Sequence, residues 1–320
     1  LPSRIRCARD GDHRHRRRHH LSHQERRRIL PNLYRQSTRV VLSDIVQTLS
    51  EIRAMLDVRG IHPRHRFGQN FLHDHNQIRR IIARAGVKHG DCVLEVGPGT
   101  GALTEALLEV GANIVACEID RDMAAILTDR VIARAPEQVS LIVADCLDGK
   151  HKLSAELMAE IDRRFGGKSF KLVANLPYQA ATPLIILLMT TRRDCIGQYA
   201  TIQREVAQRL IASPRCGEYG PLSILSHLLS RTEIFAELPP SCFWPSPEVT
   251  SSMIAIEQLE QPPTFDVAAL SAFMQTLFNK RRKQLGAILG RSGTWPAGIE
   301  PTMRPEELAP EQVVQLMHAR

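Results

Sequence analysis

The sequence predicts an α/β protein, a doubly wound seven-stranded sheet followed by a small helical region at the C-terminus. Two observations lead there. Short apolar or β-branched runs alternate with helical patterns through the middle of the chain, as strands buried on both faces and joined by right-handed crossovers require. One of these runs also ends in a glycine-rich turn that opens a helix, Glu95-Val96-Gly97-Pro98-Gly99-Thr100-Gly101.

From Ser43, the residues Ile45, Leu49, Ile52 and Leu56 recur at helical spacing, with Ser43 or Ser50 as N-cap and Gly60 as the stop. A loop over Pro63–Asn70 leads to a second helix, Asn76–Arg84, closed by Gly86. Strands are expected over Cys92–Val96, Ile114–Glu118, Val139–Ala144, Phe170–Ala174 and Ile196–Ile202. Helices are expected over 101–110, 122–133, 153–164, 179–191 and 204–212. Thr232–Glu237 and Val249–Glu257, with no long helix between them, suit an antiparallel hairpin at one sheet edge and bring the strand count to seven. Gln261-Pro262-Pro263 breaks the chain, and Leu270, Phe273, Leu277 and Leu285 give the rest a helical spacing. The expected organisation is thus a tail over 1–40, a sheet domain over 41–260 and a helical domain over 261–320.

The 320 residues are 43% apolar and 24% charged, enough chain to bury one or two cores. The longest apolar run, near Leu184–Met189, is far below the roughly 18 residues of a membrane span, and no segment reads as a signal peptide. A cytoplasmic monomer is expected. The 7 cysteines are odd in number, scattered and never spaced as C-x-x-C, which argues against disulfides and zinc and leaves most of them as buried, inert thiols. The net charge of +8 suggests a polyanionic partner. It is unevenly spread: residues 1–40 hold 12 arginines against Asp10, Asp12 and Glu25, a net +9, which leaves residues 41–320 at −1. So basic and core-poor a tail is expected to be disordered. It reads as an RNA-binding arm, as a targeting arm or, since the chain begins at Leu1, as an upstream extension foreign to the natural protein.

Glycines in the Glu95–Gly101 turn let the backbone bend tightly and approach a ligand that side chains would exclude. A bare β-to-α connection would use the same glycines. Glu118, 21 positions after Gly97 at a strand end, adds a carboxylate suited to both hydroxyls of a ribose. Dinucleotide enzymes space these glycines G-x-G-x-x-G and seat a pyrophosphate on the helix N-terminus. The G-x-G-x-G spacing here, behind acidic Glu95, favours the sulfonium cation of S-adenosyl-L-methionine over a pyrophosphate of NAD. In that reading Glu95 shapes the loop or faces the cofactor's ammonium, Gly97, Gly99 and Gly101 cradle it, and Asp145 accepts from the adenine amino group.

Asn175-Leu176-Pro177-Tyr178 stands at the end of the fourth strand, where open α/β sheets place their chemistry. A nucleobase amine is a poor nucleophile because its lone pair is delocalised into the ring. The Asn175 side-chain oxygen and the Leu176 carbonyl could accept its two N–H bonds and pull the nitrogen toward tetrahedral geometry. Pro177 would hold Leu176 extended, and Tyr178 would stack on the base. Asn175, beside the cofactor, counts in both sets.

With these motifs on the page, the chain resembles the small-subunit (16S) rRNA adenine N6,N6-dimethyltransferases from about Thr48 to the C-terminus. The likeness also rests on Phe67-Gly68-Gln69-Asn70-Phe71-Leu72, on Tyr219-Gly220 with Leu222-Ser223, and on Phe243-Trp244-Pro245-Ser246-Pro247-Glu248-Val249 with Ser251. Phe278-Asn279-Lys280-Arg281-Arg282-Lys283 completes it. The resemblance implies a Rossmann-like methyltransferase sheet, S-adenosyl-L-methionine as cofactor and 16S rRNA of the small ribosomal subunit as partner, with no metal. It further implies that Asn70 and Leu72 contact the cofactor and that Phe243 offers a second aromatic face opposite Tyr178. The cations Lys280, Arg281, Arg282 and Lys283 read as a phosphate-contacting face, which Arg64, Arg66, Arg192, Arg193, Arg204 and Arg209 could extend. A 23S rRNA adenine N6-methyltransferase and a non-catalytic ribosome-assembly factor of the same fold are the alternatives.

Overall fold

The computed structural model describes residues 47–64, 68–149 and 151–320. The basic tail, Ser43, Ile45, Arg66 and Phe67 lie outside the described residues. The first described helix, α1 (Leu49–Arg59), starts neither at Ser43 nor at Ser50. Its cap is Thr48, whose hydroxyl accepts the Glu51 amide while the Glu51 carboxylate accepts the Thr48 amide at 2.7 Å. This reciprocal pair satisfies two donors that the helix end would otherwise leave unbonded. Gly60 closes the helix in a left-handed conformation, as expected.

The two-residue strand β1 (Phe71–Leu72) precedes α2 (His75–Ala85), which Asp74 caps and Gly86 ends. Strands and helices then alternate: β2 (Cys92–Val96), α3 (Ala102–Val110), β3 (Asn113–Cys117), α4 (Arg121–Arg130), β4 (Val139–Ile142) and α5 (Ala155–Phe165). The alternation continues with β5 (Phe170–Asn175), α6 (Tyr178–Thr191), β6 (Cys195–Gln203) and α7 (Arg204–Ile211). After α8 (Pro221–Leu229) come β7 (Ser230–Leu238), β8 (Phe243–Trp244) and β9 (Ser251–Gln258), then α9 (Val267–Phe278), α10 (Leu285–Leu289) and α11 (Pro310–His318).

The seven-stranded sheet runs β4-β3-β2-β5-β6-β9-β7. Its first five strands pair in parallel, and β9 lies antiparallel to both β6 and β7. The expected edge pair is present, but its connection carries β8, which pairs with β1 in a separate two-stranded sheet that matches Leu72 with Phe243. Strands of two residues have no periodicity to detect. Helix α8 was also not expected: its sequence PLSILSHLL is buried nearly all round and so lacks a polar face, although Pro221 after Gly220 is a start signal.

The core follows from the two-residue period of the strands. On β2, Val93 joins one apolar cluster with Ile78 and Ile81 of α2 and Leu103 and Leu107 of α3. Leu94 and Val96 face the other way, toward Leu157 and Ile161 of α5 and Leu184 of α6. That second cluster continues through Ile224 of α8 to Leu270 and Leu277 of α9, Leu285 of α10 and Val313 of α11, so the helices beyond Gln261 pack on the sheet through α8. A third cluster, Ile52 and Leu56 of α1 with Phe71, Met123 and Ile126, fixes α1 against α4. Cys92, Cys117, Cys146, Cys195 and Cys242 are buried and free, as expected of most of the cysteines, and Cys216 is exposed.

Candidate active site

A cavity of about 490 Å³ opens at the carboxyl ends of β2, β3, β4 and β5. It gathers Asn70 and Leu72 from the β1 segment with Glu95, Gly97 and Gly99, and it also gathers Glu118, Asp145, Asn175 and Pro177. Gly101 stands apart from the cavity wall. It is the N-cap of α3, and a Cβ there would press on Leu127 of α4 at 2.7 Å.

The glycine loop is fixed from several sides. Gly97 donates its amide to the Cys117 carbonyl at 2.9 Å, tying the turn to β3. Its φ of +73° lies in the left-handed region, and a Cβ there would stand 2.9 Å from Cγ and Cδ of Pro177. Only glycine meets both demands. Gly99, by the same test, abuts the Phe71 ring at 2.9 Å.

Glu118 is 5% exposed, and its two oxygens accept separate amides, Oε2 from Gly99 at 3.1 Å and Oε1 from Asp120 at 2.9 Å. Burial raises its pKa, while lone pairs remain on both oxygens for ligand donors. Asp145 is exposed at the lip, with Oδ1 accepting the Leu147 amide at 2.9 Å.

Glu95 is 1% exposed, and its Oε2 has no hydrogen-bond partner. Burial foremost, with Glu118 adding like charge, pushes its pKa from 4.5 up to about 8. The folded state therefore holds this proton more tightly than the unfolded chain does. The associated stability is complete below about pH 4.5 and is lost as pH rises through about 8. The melting temperature of the ligand-free protein is expected to fall between pH 6 and 8.5, and Glu95→Gln to flatten that slope in a thermal-shift titration. An unchanged slope would refute the assignment.

In the tetrapeptide, Asn175 Nδ2 donates to the Asn70 carbonyl at 2.8 Å and Leu176 N donates to the Thr201 carbonyl at 3.2 Å. Pro177 is the N-cap of α6, with φ −57° and ψ 128°. The half-buried Tyr178 shares a hydrogen bond of 2.9 Å with the hydroxyl of Ser251 on β9, which fixes its ring. Phe243 is placed otherwise than the stacking role expected: it is 3% exposed and lies in the cluster that holds Leu72 and Cys242. Phe243→Ala is expected to cost about 3–5 kcal/mol of stability, read as a lowered denaturant midpoint.

Sequence reasoning missed the groups that support the site. Asp120, 1% exposed, accepts Arg64 at 3.1 Å and Gln69 Nε2 at 2.8 Å, anchoring the segment that carries Asn70 and Leu72. Fully buried Gln47 donates to the Thr100 carbonyl at 2.8 Å and so braces the glycine loop from the N-terminal side. The spacing of Asp120, two residues after Glu118 and at a helix start, was the one available signal.

The basic residues sort themselves by environment. Lys280, Arg282 and Lys283 are exposed in the turn between α9 and α10, but Arg281 is spent on protein partners. Arg192, 7% exposed and paired with Asp162 and Asp194 at the amino end of β6, is structural and extends no cleft. Arg204 pairs with Glu237, Arg209 with Glu205, and Arg193 donates to the Leu259 carbonyl. Among the described residues no cluster of His, Cys, Asp and Glu could hold a metal ion, and no helix is long and apolar enough to cross a membrane.

A doubly wound sheet with one reversed strand, a glycine turn on β2 and an acidic residue ending β3 define the Rossmann-like methyltransferases. The family model for ribosomal RNA adenine dimethylase matches residues 61–319. A ribosomal RNA small subunit methyltransferase A from Rhodococcus opacus is 36% identical over 280 residues, 83% of this chain and 92% of that protein. Its counterpart in Lactobacillus johnsonii is 33% identical over 87% of this chain and 98% of its own length. The chain belongs to the ribosomal RNA adenine dimethylase family. Solved structures share its fold: a dimethyladenosine transferase from Plasmodium falciparum (TM-score 0.56, 24% identity, 67% of this chain and 73% of that one) and the 23S rRNA methyltransferase ErmE (TM-score 0.57, 22% identity, 78% and 99%).

Proposed function

We propose that this enzyme uses S-adenosyl-L-methionine to dimethylate N6 of two adjacent adenosines near the 3′ end of 16S rRNA, in the cytoplasm, as the small ribosomal subunit is assembled. The observation that carries the reading is the anchored amide of Asn175. Its nitrogen is committed to the Asn70 carbonyl at 2.8 Å, so the group left for a substrate is the oxygen, a pure acceptor. An adenine amine is a donor twice over and matches it. The Leu176 carbonyl accepts the second N–H in this reading, and the two acceptors together draw the nitrogen out of conjugation.

The cavity suits the proposed cofactor. The buried carboxyl of Glu95, with one oxygen unpartnered, would give up its proton against a cation bound in the wall, and the lone pairs of Glu118 accept ribose hydroxyls. Asn70, Leu72, Gly97, Gly99 and Asp145 complete the contacts. S-adenosyl-L-methionine supplies a methyl group on a positive sulfur, ready for transfer to a nucleophile. The residues around it supply position: no base is needed before attack, because the nitrogen sheds its proton after it becomes cationic, and alignment carries most of the rate. The adenine must leave its stack, and Tyr178 offers a ring that can return about 1–3 kcal/mol. Phe243 would have to leave its packing to offer another, so the reading keeps it as support for the β1–β8 pair.

Tritiated-methyl transfer to undermethylated small subunits, with primer extension on the product, tests the reading. Label incorporation and stops at two adjacent adenosines are expected. Transfer only to large-subunit RNA, or binding without transfer, would overturn it.

A further inference from the structure

Among the described residues, Arg215 is the sole non-glycine with a positive φ, +73°. A long side chain in the left-handed region is uncommon and persists only where the surroundings impose it. Here they do. The Arg215 amide donates to the Glu306 carbonyl at 2.8 Å. The next two carbonyls, of Cys216 and Gly217, are gripped by the Arg281 guanidinium at 2.8 and 2.7 Å, while Arg281 Nε is held by the Glu306 carboxylate at 2.6 Å. All three nitrogens of Arg281 are thus engaged inside the protein. Arg215, by contrast, has a side chain 75% exposed, whose one ionic partner among the described residues, Glu307, stands 3.9 Å away. A phosphate could displace so long and so exposed a pair. The grip of Arg281 sets Arg215 next to the turn that bears exposed Lys280, Arg282 and Lys283.

We propose that Arg215 contacts RNA phosphate on this face and that Arg281 does not: Arg281 is a positioning residue whose planar fork clamps residues 215–217 beside Lys280, Arg282 and Lys283. The inference rests on the RNA substrate proposed above. It adds a contact from a loop distant in sequence and removes one from the run of four cations. A phosphate contact made by point charge survives the exchange of arginine for lysine in large part, whereas a three-pronged fork to two carbonyls and a carboxylate does not.

The test is equilibrium binding of the full-length protein to undermethylated small ribosomal subunits at salt concentrations from about 0.05 to 0.3 M, the range over which phosphate contacts dominate the salt dependence. Removing one phosphate contact is expected to weaken binding about fivefold near 0.15 M salt and to reduce the slope of log affinity against log salt by about 1. Arg215→Ala should show both changes. Arg215→Gly should show them too, with a melting temperature equal to or above that of the unsubstituted protein, because glycine relieves the left-handed backbone. That pairing separates lost binding from lost folding. Arg281→Lys keeps the charge yet should lower the melting temperature and affinity together, and Arg215→Ala added to it should weaken binding no further.

Unchanged affinity and slope in both Arg215 variants, with binding lost in a triple Lys280→Ala, Arg282→Ala, Lys283→Ala variant, would overturn the role of Arg215 alone. Unchanged binding in the triple variant as well would overturn the RNA face itself. Wild-type stability and slope in Arg281→Lys would overturn the clamp.

Discussion

Asn175→Ala is expected to lower the turnover number about 10²- to 10³-fold, because it removes an acceptor that must be in place as the amine is attacked. Affinity for small subunits should hold, since Asn175 lies in the cavity wall and not on the exposed basic turn. Asn175→Asp should not rescue the loss. It restores an oxygen but deletes the Nδ2 donor that Asn70 accepts at 2.8 Å, and it sets a carboxylate against a carbonyl. Single-turnover methylation measured beside RNA binding separates these outcomes, and near-normal turnover in Asn175→Ala would remove the residue from the mechanism.

Glu118→Ala is expected to weaken cofactor binding about 100-fold, close to 3 kcal/mol, the value of two charge-assisted hydrogen bonds. Glu118→Gln should fare little better, for a reason specific to this site. Both oxygens already accept backbone amides, from Gly99 and Asp120. A glutamine can offer an acceptor to only one of them and turns its own NH₂ toward the other. Calorimetric titration with S-adenosyl-L-methionine reads the effect, and a fall of less than threefold in Glu118→Gln would mean that the ribose binds elsewhere.

Much of this was legible in the sequence, for reasons that differ by element. The parallel strands were read because burial on both faces makes continuous apolar runs, and the cavity residues because open sheets place ligands at strand ends. What escaped has physical causes. Helix α8 is buried nearly all round and carries no amphipathic signal, while β1 and β8 are too short to have a period. Thr48 rather than Ser43 or Ser50 caps α1 because its hydroxyl and the Glu51 carboxylate each accept the other's amide, a Thr-x-x-Glu pairing that the sequence does carry. The run Lys280–Lys283 looked uniform, yet one of its four charges faces Glu306 and two loop carbonyls. Phe243 was assigned by likeness to a base pocket, where the structure shows a packed ring. Asp120 and Gln47 act through partners more than 50 residues away; the place of Asp120 at a helix start marks it locally, but no local pattern reveals those partners.

In the proposed reading Gly97 lies on the methyl-donor side and Pro177 on the acceptor side, and the two meet directly. A Cβ on Gly97 would lie 2.9 Å from that ring, so in that reading the spacing of the two sides depends on a proline ring and a bare α-carbon. No rotamer can widen it. An enzyme rebuilt to deliver groups longer than methyl would therefore have to give way at Pro177, with the glycine turn left as it is.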